Sequence, residues 1–171
     1  MKKIHLIRHA KSSWKDASLA DIDRPLNKRG IRTCHFMAQH ILEAGCRFDQ
    51  VFCSPAVRVQ LTIELISSSL EGVDIQWQTE EQLYTFDSDA VLDWCRTLDE
   101  SISEFVIIGH NPAFTDFCNA MSNSNLNNIP TCGYAQLTIG KRIRWRKLTE
   151  RSAELTDFLK PKRLMKTMKK Q

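Results

Sequence analysis

A chain of 171 residues is long enough to bury its own core and indicates a single domain. Its 42% apolar and 26% charged residues exclude disorder throughout, and no apolar run is long enough to span a membrane. Charge comes too early in the chain for a secretory signal, and no C-x-x-C pair occurs among the six cysteines. We therefore expect a cytoplasmic protein with reduced thiols and no zinc site.

The net charge of +4 is unevenly distributed along the chain. Residues 1–140 carry 12 basic and 17 acidic residues, whereas residues 141–171 carry 12 basic and 3 acidic ones. A nucleic-acid binder is expected to be basic where it is folded, so we expect neither nucleic acid nor a membrane as a partner. We predict one domain over residues 1–159, followed by a flexible basic tail over residues 160–171.

Short apolar runs alternate with helical patterns along the chain. Strands are predicted at residues 3–7, 50–53, 75–77, 105–108, 134–139 and 143–148. Helices are predicted at residues 27–44, 55–70 (capped by Ser54), 88–98 and from Pro112 onwards. This alternation indicates a three-layer α/β/α sandwich with a mostly parallel sheet. The last two predicted strands form a hairpin, so we expect a mixed sheet.

Ligands of such folds bind beyond the carboxyl ends of the parallel strands. Arg8 and His9 follow the first predicted strand, Arg58 opens the helix after the second, and His110 follows the strand at 105–108. Arginine binds phosphate through paired hydrogen bonds, and the start of a helix also favours an anion. A neutral histidine beside them can attack phosphorus or donate to its oxygens. The pattern predicts a phosphate pocket.

Four motifs fall at these junctions: Leu-Ile-Arg-His-Ala-Lys-Ser at residues 6–12, Asp-Arg-Pro-Leu-Asn-Lys-Arg-Gly at 23–30, Cys-Ser-Pro-Ala-Val-Arg-Val-Gln-Leu-Thr at 53–62 and Ile-Gly-His-Asn-Pro at 108–112. In this order they resemble the motifs of the histidine phosphatase superfamily. The alanine after the first histidine and the small size are similar to the SixA-type phosphohistidine phosphatases. The resemblance covers residues 3–148 and implies a phosphoglycerate-mutase-like fold.

The resemblance also implies a role for each residue of the predicted pocket. His9 is implied to be the nucleophile that becomes phosphorylated, while Arg8 and Arg58 hold the phosphoryl group and His110 completes its cradle. Neither a metal nor a cofactor is implied. If the nucleophilic histidine has an ordinary pKa, it becomes protonated in acid, and we expect the activity to decrease as the pH drops below about 6.

Arg24 and Ser12 are implied to bind the substrate. Many members of the superfamily have an acid that protonates the leaving group, in some directly after the second histidine, where this chain has asparagine. Glu80, Glu81 and Asp87 are the other candidates for this acid. A weak or absent acid favours phosphohistidine substrates, because imidazole (pKa ~6.5) leaves far more easily than an alkoxide, whose conjugate acid resembles water at about 15.7.

We therefore expect a phosphohistidine phosphatase that acts on a signalling or phosphotransfer protein through a covalent intermediate. Two alternatives stay open: a phosphatase for small phosphate esters or nucleotides with the same mechanism, and a module that binds a phosphorylated partner without hydrolysis. A cysteine phosphatase is disfavoured because only four residues separate Cys53 from Arg58 and Pro55 supplies no N–H. A metallohydrolase is disfavoured because no H-E-x-x-H motif or aspartate cluster accompanies the histidines.

Overall fold

The computed structural model describes residues 1–171 and contains a six-stranded sheet with helices on both faces. The strands are β1 (Lys3–Arg8), β2 (Val51–Cys53), β3 (Gln78–Thr79), β4 (Glu104–Gly109), β5 (Tyr134–Ile139) and β6 (Ala153–Leu159). The helices are α1 (Lys28–Glu43), α2 (Val57–Ser68), α3 (Ser88–Cys95), α4 (Ala113–Ser122) and α5 (Pro161–Lys169). Short 3₁₀ turns lie at Asp21–Asp23, Glu81–Leu83 and Trp145–Lys147.

The strand order is β3-β2-β4-β1-β5-β6. β1 runs parallel to β4, from the pair Lys3 and Glu104 to the pair Arg8 and Gly109, and β2 runs parallel to both β4 and β3. β5 is antiparallel to β1 and β6 is antiparallel to β5, so β6 runs in the direction of β1. The predicted mixed α/β/α sandwich is confirmed, and the carboxyl ends of β1, β2, β4 and β6 share one edge.

Two apolar clusters fill the spaces between the sheet and its helices. Successive side chains of a strand point to opposite faces of the sheet. Ile7 accordingly packs with the buried residues of α1 and α2, whereas Ile4 and Leu6 pack with those of α3 and α4. The sheet is thus covered on both faces, which leaves the ends of the strands as the accessible edge.

Close contacts hold the loop that follows β1. A Cβ atom at Gly30 would overlap the carbonyl oxygen of Lys11, so only glycine lets α1 approach this loop. The N–H of Ala10 donates to the hydroxyl of Thr62 on α2 at 3.0 Å. These contacts fix the backbone that directly follows His9.

The third strand lies further along the chain than predicted. Residues 75–77 do not pair with the sheet, and β3 is the short segment Gln78–Thr79. Ile75 is buried in the core and the indole of Trp77 donates to Gln60 at 3.0 Å. The apolar residues at 75–77 are therefore explained by the burial of their side chains just before β3, and not by a strand.

The prediction of a strand at residues 143–148 is wrong. This segment contains a 3₁₀ turn in which Trp145 is buried and donates its indole N–H to the carbonyl of Ile102 at 2.8 Å. The partner of β5 is Ala153–Leu159, an edge strand that buries little of either face. Such a strand lacks a strong apolar alternation, which is why the sequence pattern missed it.

Two predictions near helix ends also need correction. α2 begins at Val57, two residues later than predicted, and the Ser54 hydroxyl accepts from the N–H of Ala56 at 3.2 Å outside the helix. Residues 161–169 form a helix, where we predicted a flexible tail, because Leu164 packs against the core beside α1. No helix of the chain is both long and apolar enough to cross a membrane.

Candidate active site

His9 directly follows β1, and its side chain is nearly buried. Its Nδ1 atom lies 2.7 Å from the carbonyl oxygen of Ala10. A carbonyl oxygen only accepts hydrogen bonds, so Nδ1 carries the proton and Nε2 keeps its lone pair. Burial, reinforced by the nearby charges of three arginines, lowers the pKa of His9 to about 4, although the bond to Ala10 opposes this. His9 is therefore a neutral imidazole with Nε2 ready to attack.

The three arginines whose charges act on His9 are Arg58, Arg8 and Arg24. The Nε atom of each is buried and has no hydrogen-bond partner. Leaving one buried polar donor unpaired costs about 1–3 kcal/mol, and more when the group is charged. Three such donors around one histidine match an anion with several oxygens, such as a phosphoryl group. The predicted convergence of Arg8, Arg58 and His9 is present, and Arg24 joins it.

Arg8 is oriented by the segment before β5. Its Nη1 atom donates to the carbonyl of Ile129 at 2.9 Å and lies 3.4 Å from Oδ1 of Asn128. The amide of Asn111 donates to the same two oxygens at 2.9 and 2.8 Å, and its own oxygen accepts from the N–H of Thr115 at 3.2 Å. Asn111 thus holds Arg8's partners and the start of α4.

Arg58 lies in the first turn of α2 and is 2% exposed. Its Nη1 atom donates to the backbone oxygen of Asp21 at 2.6 Å, and its Nη2 atom donates to the Oδ2 of that residue at 3.0 Å. Nη2 also lies 3.3 Å from Nδ1 of His110. Both terminal nitrogens are thus held by the protein, which fixes the plane of the guanidinium.

His110 has both ring nitrogens engaged. Because arginine only donates hydrogen bonds, Nδ1 accepts from Arg58 and the proton lies on Nε2, which donates to the Ser54 hydroxyl at 2.8 Å. Burial, and after it the proximity of His9 and Arg58, lowers the pKa of His110 to about 3. The rings of His110 and His9 are 5.4 Å apart between centroids. In this arrangement His110 orients Arg58 beside His9.

Asp21 is the site residue that the sequence analysis missed. Its carboxylate accepts from Arg58 at 3.0 Å, from Nη2 of Arg24 at 3.1 Å and from the hydroxyl of Tyr84. Although burial alone raises it, the hydrogen bonds from Tyr84, Arg58 and Arg24 hold the pKa of Asp21 well below its ordinary range. The Asp-x-x-Arg spacing, which closes one 3₁₀ turn between Asp21 and Arg24, was the available signal.

Arg24 is held by two residues besides Asp21. Its Nη1 atom donates to the Ser12 hydroxyl at 3.0 Å, and its guanidinium lies 3.6 Å from the ring centroid of Trp14. The resemblance implied that Ser12 contacts the substrate, and the structure places its hydroxyl on Arg24. Ser12 and Trp14 thus orient an arginine whose Nε stays unpaired.

The three candidate acids have no hydrogen bond or ion pair to the arginines and histidines of this site. Asp87 caps α3 by accepting from the N–H of Asp89 at 3.0 Å. Glu80 and Glu81 make no side-chain hydrogen bond, and Glu81 is exposed. Their role as an acid stays a prediction that these contacts do not support.

The same segment contributes aromatic rings to the rim of the site. The rings of Tyr84 and Phe86 meet His110 edge-on, with centroids 5.3 and 5.5 Å from its own. Phe86 is 49% exposed and Trp14, on Arg24, is 73% exposed. Both exposed rings touch pocket residues, so the rim of the pocket is aromatic.

The thiols lie outside this chemistry. All six cysteines are free and buried, and burial raises the pKa of Cys53 far above its ordinary value. A protonated thiol is a poor nucleophile. The prediction that Cys53 is not the nucleophile agrees with this burial.

A buried neutral histidine surrounded by arginine donors, at the carboxyl edge of a mixed α/β sheet, has the chemistry of a class of phosphoryl-transfer enzyme. Comparison with known proteins leads to the same class. The family model of the histidine phosphatase superfamily (branch 1) matches residues 4–91, just over half of the chain. The chain belongs to this superfamily and is a phosphatase.

Individual relatives extend the similarity to nearly the whole chain. An uncharacterized protein of Mycobacterium leprae is 29% identical over 168 residues, which cover 91% of this chain and 100% of that protein. SixA from Agrobacterium tumefaciens is 25% identical with a TM-score of 0.77, covering 94% of this chain and 98% of its own. The protein histidine phosphatase SixA in complex with tungstate has a TM-score of 0.77 at 18% identity, covering 95% and 99% of the two chains. The SixA-like fold is confirmed.

Proposed function

We propose that this phosphatase removes phosphate from a histidine-phosphorylated signalling or phosphotransfer protein through a phosphohistidine formed on His9. The observation that carries the proposal is the set of three buried, unpaired arginine Nε atoms around a histidine whose Nε2 is unprotonated. The similarity in fold to a protein histidine phosphatase adds support. No step of the proposed mechanism uses a metal ion.

In the first step the Nε2 lone pair of His9 attacks phosphorus. The substrate ring enters protonated on its other nitrogen, so that when the bond between phosphorus and the substrate ring breaks, the electron pair stays on the released nitrogen and neutral imidazole departs. Arg8, Arg24 and Arg58 meet the charge on the phosphoryl oxygens as the transfer proceeds. The hydrogen bond from Nδ1 to Ala10 steadies the positive charge that develops on the His9 ring.

In the second step a water molecule attacks the phosphorus of phosphorylated His9. The new oxygen–phosphorus bond replaces the bond to Nε2, whose electron pair returns to the ring, and the released proton goes to solvent. Inorganic phosphate leaves and His9 regains its neutral form. The lowered pKa of His9, about 4, keeps it ready for the next cycle at neutral pH.

The choice of phosphohistidine as the substrate rests on the leaving group. Asp21 is the carboxylate bonded to the pocket arginines, and its depressed pKa keeps it ionised, so it has no proton to donate. Imidazole, with a pKa of about 6.5, departs without a strong acid, whereas an alkoxide, related to water at about 15.7, does not. The site is therefore suited to nitrogen-linked phosphate.

The choice of a protein as the carrier rests on the rim. Trp14 and Phe86 expose large apolar rings beside the pocket. Exposed aromatic residues next to a functional site are typical of protein interaction surfaces. The same rings offer stacking partners to an imidazole that enters the pocket.

The proposal is tested by measuring phosphate release from a histidine-phosphorylated phosphotransfer domain and from an alkyl phosphate ester, at equal concentration and in EDTA. We expect rapid release from the phosphohistidine, little from the ester, and a loss of several orders of magnitude in His9→Ala. His35→Ala, on the exposed face of α1, is the matched control and should keep full activity.

Each other outcome has a definite meaning. A preference for the ester would make the enzyme a phosphatase for small phosphate esters or nucleotides. Binding of the phosphorylated domain without release would make the chain a binding module. Loss of activity in EDTA that is restored by a divalent cation would contradict the metal-independent mechanism.

A further inference from the structure

A second polar groove lies at the same edge of the sheet. Helix α5 and residues 125–130, a segment rich in asparagine, enclose a volume of about 640 Å³. Four cations line it, and no acidic residue does: Lys160, Lys162, Arg163 and Lys166. We call these four residues and the volume beside them the basic groove.

The topology places the basic groove next to the catalytic pocket. The last residue of β6, Leu159, pairs with Tyr134, and Tyr134 pairs with Ile7 near the end of β1. α5 follows β6 after one residue, so it starts at the edge that carries the pocket. Asn128 lines the groove and also lies 3.4 Å from Nη1 of Arg8. One side chain thus separates the groove from a catalytic arginine.

The charges of the basic groove are not compensated within the chain. All four cations are exposed and none forms an ion pair. Three of them lie at the first turn of α5, where the helix dipole disfavours positive charge. Lys162 and Lys166 are one helical turn apart, a spacing at which like charges repel. This arrangement of like charges destabilises the folded chain, and an acidic partner bound to the groove would offset that destabilisation.

We propose that the basic groove docks an acidic segment of the phosphorylated protein whose phosphohistidine enters the pocket. This inference rests on the proposed function and names the charge that its substrate carries. The cations extend over about 9 Å along α5, which fits carboxylates spread along a partner helix. They are exposed, unlike the buried arginines of the pocket, so a single small anion is a poorer match.

Docking of this kind raises the rate at which enzyme and substrate associate and leaves the rate of the chemical step unchanged. Opposite charges raise association rates by about 10- to 1000-fold, and salt reduces the gain. The basic groove should therefore contribute to kcat/KM for a protein substrate and not to kcat. It should contribute nothing for a small substrate that reaches only the pocket.

The test compares a triple charge reversal, Lys162→Glu, Arg163→Glu and Lys166→Glu, with a matched control that carries Lys141→Glu, Arg144→Glu and Lys147→Glu. The control residues are exposed and follow the end of β5, at the opposite edge of the sheet. The substrates are a phosphotransfer domain with acidic residues around its phosphohistidine, the same domain with those residues changed to amides, and free phosphohistidine.

For the groove variant we expect kcat/KM on the acidic domain to fall about 10-fold or more at low salt. We expect kcat to be unchanged, the loss to shrink as salt rises, and both the amide-substituted domain and free phosphohistidine to be hydrolysed as by wild type. An equal loss of kcat/KM in the control variant, or no loss in either variant, would overturn the docking proposal. The proposed function would still stand in that case, provided that the wild type hydrolyses the phosphohistidine substrates. A loss confined to free phosphohistidine would assign the groove to small anions. Failure of the wild type on every phosphohistidine substrate would overturn both proposals.

Discussion

Arg58 and Asp21 are joined by two hydrogen bonds, one from Nη2 to the carboxylate at 3.0 Å and one from Nη1 to the backbone oxygen at 2.6 Å. The pair leaves Nε as the free donor of a buried guanidinium whose plane is fixed. The carboxylate also balances part of the charge of the pocket arginines before an anion arrives. An acidic residue thus helps to build an anion site.

The first prediction concerns this pairing. Asp21→Asn keeps the shape of the side chain but removes the charge that holds Arg58 and Arg24. A displacement of about 1 Å in a positioning group can cost about 10²-fold, so we expect kcat/KM to fall by about that factor. Steady-state kinetics on a phosphohistidine substrate measures it.

Asp23→Asn is the control for this prediction. Asp23 lies in the same 3₁₀ turn, is exposed and makes no side-chain hydrogen bond, so its neutralisation changes the net charge equally. Its kcat/KM should match wild type. Equal losses in the two variants would show that net charge, and not the fixed arginines, causes the effect.

The second prediction concerns the arginine itself. Arg58→Ala should lower kcat by about 10³-fold or more, as with other arginines that stabilise a transferring phosphoryl group. Arg58→Lys should also be poor, because lysine lacks the planar fork that bonds Asp21 and the substrate together. Arg32→Ala, on the exposed side of α1, should be fully active. A lysine variant close to wild type would mean that charge alone suffices.

The third prediction concerns the protonation of His9, the proposed nucleophile. Sequence reasoning placed the loss of activity near pH 6, the range of an ordinary histidine. Burial and the pocket arginines instead place the pKa of His9 at about 4. The ring resonances of His9 in a two-dimensional NMR titration, assigned by their loss in His9→Asn, should therefore have a midpoint near 4. A midpoint at 6 or above would contradict the desolvated, arginine-flanked geometry.

The fourth prediction follows from the same shift and concerns stability. In the folded chain His9 stays neutral down to about pH 4 and His110 down to about pH 3. In the unfolded chain both histidines bind a proton near the ordinary histidine pKa of 6.5. The unfolded state therefore holds more protons between these values, and the free energy of unfolding falls as pH drops below 6.5. The Tm of His9→Asn should decline less steeply than wild type from pH 6.5 to 4; parallel curves would contradict the shift.

Strong local patterns predicted most of the fold. The residues that start α1 illustrate this, since Asn27 accepts from the N–H of Gly30 at 2.8 Å as a cap should. The errors fall where tertiary packing overrides the pattern. Trp145 is buried in a turn and resembles a strand residue, whereas β6, at the edge of the sheet, lacks a clear apolar alternation.

The site was predictable where residues follow strands directly. Arg8, His9 and His110 come together because β1 and β4 are parallel neighbours. Asp21 was not predictable in this way, because it lies in an irregular loop and reaches Arg58 across 37 residues of sequence. His5 lies in β1 before the site, and its buried ring bonds Tyr134 at 2.8 Å and Glu104 at 3.1 Å.

Direct detection of the intermediate tests the central claim most directly. A rapid-quench experiment would mix the enzyme with a phosphotransfer domain carrying radiolabelled phosphohistidine, stop the reaction in alkali, and locate the label by mass spectrometry. We predict a transient, acid-labile phosphate on Nε2 of His9 that forms and decays at rates compatible with turnover. Phosphate release at the normal rate in His9→Ala, or label on any residue other than His9, would contradict the covalent mechanism.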